Sequence, residues 1–241
     1  MSPRRFVALS FLAFPIAIQA PFVRLARVFR YPDILRAPPA EILTAFHDGG
    51  GALIATWYLF AITILVFLAG ALVLAHAQTG KRSIPLRAAT VFAALSALVQ
   101  MTGLLRWVFV VPVLAKQFFE AQTAEARGVV ATVFAVQHQA FGVLLGEHLG
   151  QIFLSLWTIS VAVGLGWLPK VLRGLGLIAG MTMLLGVSDG FATVLPVGNA
   201  LTKTLPIIAF VVWSIWLLLL GLLLLRRPAA SEIAAASTAV A

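Results

Sequence analysis

The chain reads as an all-α protein, a polytopic transmembrane bundle of about six spans with two short interfacial helices on the outer side. Three observations carry this reading. Apolar residues make up 61% of the chain, charged residues only 10%, and mean hydropathy is +1.04. Soluble domains sit near about 45–50% apolar and about 25% charged. Apolar runs of about 20 residues, enough helix to cross about 30 Å of hydrocarbon, recur along the sequence. Only short polar joints separate them, so residues 1–227 form a single transmembrane domain with no soluble domain left over.

The first span, near 5–23, carries Arg4 and Arg5 ahead of FVALSFLAFPIAIQA (6–20). This pattern also resembles a signal peptide ending at Ala20, but the apolar run continues through Phe22 and Val23 without a clear cleavage pattern, which favours a retained helix. In YPDILRAPPAEILTAFHDGGG (31–51), Pro38 and Pro39 can open a short helix and Gly49 to Gly51 can end it. Ile42, Leu43 and Phe46 share one face, which suits a helix lying on the membrane surface. Span two follows near 52–76 and span three near 88–111. KQFFEAQTAEARG (116–128) reads as the second interfacial helix, leading into the moderately apolar VVATVFAVQHQAF (129–141). Spans four, five and six lie near 143–168, 172–190 and 205–225. The tail, 228–241, is small and polar enough to be a disordered cytoplasmic segment.

Charge sets orientation and excludes some partners. With both termini inside, the inner face holds nine Lys and Arg residues (Arg4, Arg5, Lys81, Arg82, Arg87, Lys170, Arg173, Arg226, Arg227) and the outer face seven, the latter interleaved with acids. The net charge of +9 sits at helix ends rather than in one stripe, so the partner it implies is the lipid bilayer and not nucleic acid. With no cysteine there is neither a disulfide nor a thiolate metal site.

Two charges fall inside spans, where each costs roughly 2.5–3.5 kcal/mol and calls for a partner or a cavity. They are Arg106, in GLLRWVFVVPVLA (103–115), and Glu147, in GVLLGEHLGQIFLSLW (142–157). Counting from the inner loops at about 1.5 Å per residue brings Arg106, Glu147 and His148 to a similar level near the outer boundary, where Asp189 ends span five and His47 precedes span two. Four-residue steps align Glu147, Gln151 and Ser155 on one polar face of span four, and Gly142, Gly146 and Gly150 on a flanking stripe that admits a close neighbour. Thr102 and Gly103 flank Arg106 on span three, so that surface is the expected neighbour. An Arg106–Glu147 ion pair is the sharpest structural expectation.

The expected pocket therefore comprises Arg106, Glu147, His148, Gln151, Asp189 and Thr102. Plainer readings stand beside it: Arg106 snorkelling with Trp107 as a belt residue, the ion pair as a structural clip, His148 as a satisfied core histidine, and Asp189 as an exposed loop residue. His138 lies about 180° from Glu147 on an unbroken helix and joins the site only if Gly142 breaks that helix. Catalytic templates are not completed. Glu147-His148 lacks the second histidine of zinc-peptidase patterns, there is no Gly-x-Ser-x-Gly elbow, and no pair among His76, His138 and His148 faces another at a defensible depth for haem. No catalytic residue, metal site or cofactor is assigned.

YPDILRAPPAEILTAFHDGGGALIATWYLFA (31–61), LRWVFVVPVLA (105–115) and GVLLGEHLGQIFLSLW (142–157) together resemble the bacterial integral membrane proteins of domain of unknown function family 4386. The resemblance runs from about residue 6 to about residue 225 and implies a multi-helix fold in a bacterial inner membrane. It brings no activity with it, and its marked positions include Arg106, Pro112, Glu147 and His148. The leading function is an outward-opening pocket that binds or conducts a small solute, lipid headgroup or proton. The alternatives are a membrane enzyme using Glu147 or His148 as general base on a lipid-linked substrate, and a structural or accessory subunit whose glycine row forms an assembly surface; a homo-oligomer is a further partner expectation.

Overall fold

The computed structural model describes residues 1–77, 83–195 and 200–227, leaving the expected tail and the inner-loop cations Lys81 and Arg82 outside the described residues. The described residues are helical with no strand, and six helical segments among them are long and apolar enough to cross a membrane. α1 (Pro3–Ala17) starts on Ser2, whose hydroxyl accepts from the Arg5 amide, with Pro3 in the first turn where a missing N–H costs nothing. α2 (Gln19–Phe29) continues the first span and stops at Arg30, which takes a left-handed φ of 50°.

α3 (Pro39–Ala77) contains a sharp bend at Gly50, where φ is 54° and ψ is −154°, a conformation that glycine adopts without the steric penalty a Cβ brings. The short helix expected before the glycines is therefore present, with its apolar face packed against protein. Ile42, Leu43 and Phe46 are buried, with the Phe46 ring against Phe29 and Trp107, because the bend turns this face into the bundle.

Segment 116–128, expected as one short helix, is instead divided between two. α4 (Ile84–Phe109) passes at Val110 into α5 (Val111–Glu120), residues 121–123 make a tight joint, and α6 (Ala124–Gln137) starts on a Thr123 cap. Segment 116–128 is thus the tip of a helical hairpin. α6 runs without a break into a π-helical segment, His138–Leu149, and then α7 (Gly150–Gly164). α8 (Lys170–Gly186), the single turn α9 (Ser188–Phe191) and α10 (Ala200–Arg226) are the last helices among the described residues.

The spans pack as a closed ring in sequence order, α1 to α3, α4, α7, α8 and α10, with α10 returning to α1. Phe11, Phe14, Phe67, Trp157 and Trp213 fill the centre with mostly edge-to-face contacts, so the ring is solid at that level. Lipid is as apolar as leucine, so close packing and internal hydrogen bonds must hold such helices together. Trp213 Nε1 donates to Thr158 Oγ1 at 2.9 Å, Trp216 Nε1 to the Leu172 carbonyl at 3.0 Å, and Ser155 Oγ to the Gly180 carbonyl at 2.6 Å. At the described glycines the closest approach to another helix's backbone lies between α4 and the π segment: a Cβ on Gly103 would fall 2.7 Å from Gly146 Cα.

Two alanine substitutions should separate packing from propensity. Gly103→Ala drives a methyl into backbone and is expected to lower stability in detergent by about 1–3 kcal/mol. Gly174→Ala, with nothing within 4 Å of the added Cβ, should be neutral or raise the melting temperature slightly. Equal effects at both positions would contradict the packing seen here.

Candidate functional site

The site is built around a residue that sequence spacing did not single out. Between α2 and α3 the chain folds inward through a 3-10 turn, Asp33–Arg36, with Ile34 and Leu35 buried. The turn presents Arg36 to two carboxylates from different parts of the bundle. Arg36 Nη2 lies 2.6 Å from Glu147 Oε2 on the π segment and 2.8 Å from Asp189 Oδ2 on α9. The three side chains are 32%, 28% and 22% exposed, so the cluster is sheltered yet open to one side. Burial alone would depress the Arg36 guanidinium, but Glu147 and Asp189 outweigh it and hold its pKa above the ordinary arginine value.

The expected Arg106–Glu147 ion pair is not formed, because Arg36 takes Glu147. Arg106 is buried over the Trp107 ring, 4.9 Å from its centroid, and donates to the Gly103 carbonyl. Its Nη2 lies 3.4 Å from His138 Nδ1, and His138 Nε2 lies 3.1 Å from the Leu35 carbonyl. A neutral imidazole with its proton on Nε2 satisfies both partners, donating to Leu35 and accepting from Arg106. Arg106 thus reaches the inward-folded turn through His138, next to the residue that holds the carboxylates.

The π winding makes this possible. At about 100° per residue His138 and Glu147 would face opposite ways. An i→i+5 helix turns only about 80° per residue, so nine residues make about two full turns and both side chains reach the same turn. The Gly150 amide pointing to the Leu145 carbonyl marks that wider register. His138 therefore joins the site without the helix break that the sequence reading required.

The other expected members divide cleanly. Asp189 is in the cluster. His148 packs edge-on to Phe191, at 5.1 Å, beside the α9 turn that carries Asp189. Gln151 lies at the α8 interface, where a Cβ on Gly186 would come within 3.2 Å of its Oε1. Thr102 is not a member: its hydroxyl donates to Leu98 on its own helix. Gly142, Gly146 and Gly150 face α4, meeting Arg106, Gly103 and Gln100 in turn, so this row is covered within the chain. His47, expected nearby, instead stacks on Phe119 with centroids 4.1 Å apart. Among the described residues no group of three or more His, Asp or Glu side chains is placed to share a metal ion.

Tyr31 closes the inner wall, its ring edge-on to Trp57 and Phe22. Burial first, and then the Glu147 charge, push its phenol pKa well above the ordinary value.

Two measurements probe these contacts. A double-mutant cycle of Arg36→Gln and Glu147→Gln should show coupling of about 1–2 kcal/mol, between the exposed and fully buried regimes, whereas Arg106→Gln with Glu147→Gln should show less than half of that. The folded chain holds the Tyr31 proton more tightly than the unfolded chain, so stability should be intact below about pH 10 and fall above it. Tyr31→Phe should flatten that alkaline loss in thermal melts.

No curated protein and no solved structure matches the chain. The three strings that resembled one family do have a counterpart over most of the length: the family model described as Domain of unknown function (DUF4386) matches residues 6–221, from the first turn of α1 into the last part of α10. The chain belongs to that family, as a multi-pass membrane protein with six candidate spans.

Proposed function

We propose that this is a bacterial inner-membrane protein that binds or conducts a proton or a small cationic solute at the Arg36–Glu147–Asp189 cluster, with both termini cytoplasmic and the cluster outward. The supporting observation is one guanidinium shared by two partly exposed carboxylates on separate elements. Two negative charges against one positive leave an excess that a proton or cation can neutralise. Displacing Arg36 would free both carboxylates together and loosen the turn from α9 and the π segment. His148, edge-on to Phe191, adds an imidazole beside the same turn.

A second reading, a purely structural clip, draws on the short distances of both ion pairs. Reconstitution into vesicles loaded with a pH-sensitive dye separates the two. Conduction predicts flux in the unaltered protein that falls at least about tenfold in Glu147→Gln and Asp189→Asn, a barrier change of about 1.4 kcal/mol. The clip predicts no flux in any variant and only lowered thermal stability.

Orientation has an independent test, because the chain has no cysteine. A single cysteine at Gln122, in the hairpin tip, should react with a membrane-impermeant thiol reagent added to intact spheroplasts, while one at Ser83 should react only after lysis. The reverse pattern would turn the cluster towards the cytoplasm.

A further inference from the structure

The other side of the inward-folded turn forms an open cleft of about 610 Å³, bounded by Ala26, Arg30, Tyr31, Asp33, Ile34 and Arg36 among others. Its position relative to the bilayer follows from helix length. The first span, Pro3–Phe29, has 27 residues. At about 1.5 Å per residue that is about 40 Å, against about 30 Å of hydrocarbon, so its last two turns rise through the headgroup layer. Phe22 and Ala26 lie one four-residue step apart on one face of this segment, and Arg30 is the left-handed cap that follows its last turn. A partly buried ring, a small side chain and an exposed guanidinium thus run from hydrocarbon depth to headgroup depth, and Ala26 leaves the groove open.

The charges in the cleft are of both signs. Arg36 spends only Nη2 on Glu147 and Asp189; its Nε and Nη1 make no hydrogen bond among the described residues, and a guanidinium has five N–H donors. Arg30 pairs with Glu41 at 2.6 Å, but both side chains are largely exposed, and such pairs are weak enough for another anion to replace. Asp33 forms no ion pair among the described residues. The N–H donors that the carboxylates leave unused on Arg36, and the exposed Arg30 from which Glu41 can be displaced, sit beside the unpaired Asp33; they complement a phosphate next to an ammonium through hydrogen bonds, not through net positive charge.

We propose that this cleft is a phospholipid site selective for a phosphoethanolamine headgroup, with the phosphate on Arg30 and Arg36, the ammonium on Asp33, and the acyl chains descending over Ala26 and Phe22. An anionic headgroup lacking the ammonium leaves Asp33 facing a negative charge. A choline headgroup offers Asp33 no N–H to accept. The inference goes beyond the proton or solute reading, since it does not require Glu147 or Asp189 to titrate or to release Arg36.

The test is native mass spectrometry of the detergent-purified full chain titrated with phosphatidylethanolamine, phosphatidylglycerol, phosphatidylcholine and the soluble glycerophosphoethanolamine. Phosphatidylethanolamine should bind at least about tenfold more tightly than the other two lipids, the change expected from one charge-assisted hydrogen bond. Asp33→Asn should abolish the preference over phosphatidylglycerol, and Arg30→Gln should weaken binding of both. Ala26→Trp, an exposed change that leaves every charge in place, should block all lipids at this site while the protein stays folded. Glu147→Gln should keep the preference, so that loss of proton flux in that variant and loss of lipid selectivity fail separately. Equal binding of the three lipids, a preference for phosphatidylglycerol, or an unchanged preference in Asp33→Asn and Ala26→Trp would overturn the proposal. Binding of the soluble headgroup as tight as that of the lipid would overturn a membrane source for the ligand.

Discussion

A charge inside a lipid-surrounded bundle has no water to fall back on, so it must find its counter-charge or its hydrogen bonds within the protein. The functional end of this molecule is organised by that constraint. Arg106 meets it with the Gly103 carbonyl, the Trp107 ring and His138. Glu147 meets it with Arg36, a residue outside the spans, so the connection between α2 and α3 is drawn down to the level of the helices. Once there, the turn is held from two sides, by His138 on the Leu35 carbonyl and by two carboxylates on the neighbouring guanidinium.

The π segment and its glycines serve the same end. Wider winding separates successive side chains along one face, and the glycines let α4 come close enough for Arg106 to lie over Gly142. Insertion of a residue's worth of slack into a helix is often kept where function needs an altered register. Here it aligns His138 and Glu147 on one turn while Ser155, further along the same helix, still reaches α8. The rest of the bundle is conservative by comparison: a closed ring of spans around packed aromatic rings, with indole and hydroxyl groups bonded across helices.

Arg36 gives two neighbouring regions a shared boundary. On one side it balances part of the charge on Glu147 and Asp189; on the other it lines a cleft that also contains Asp33 and Arg30. Any ligand, proton or lipid that changes the position of this one side chain is felt on both sides, because the turn that carries it is short and is anchored by the buried Ile34 and Leu35.

Composition and apolar run length alone determined the class, the number of spans and their order, because crossing hydrocarbon imposes a length and a polarity that no tertiary contact can relax. That Glu147 and Asp189 approach each other was legible from rise per residue, and they do meet, through Arg36. Also legible was the glycine stripe as a close-packing face, with α4 as its neighbour. What stayed hidden depended on register and on loops. Strict α-helical periodicity puts His138 behind Glu147, and only the wider winding reverses this. Nothing in the spacing of YPDILRAPP says that its arginine turns inward, so Arg106 was the natural partner for Glu147. Helix ends and apolar faces are local properties written in neighbouring residues. The partner of a buried charge is chosen among all groups that the fold brings within reach, and that competition, here won by Arg36, exists only in three dimensions.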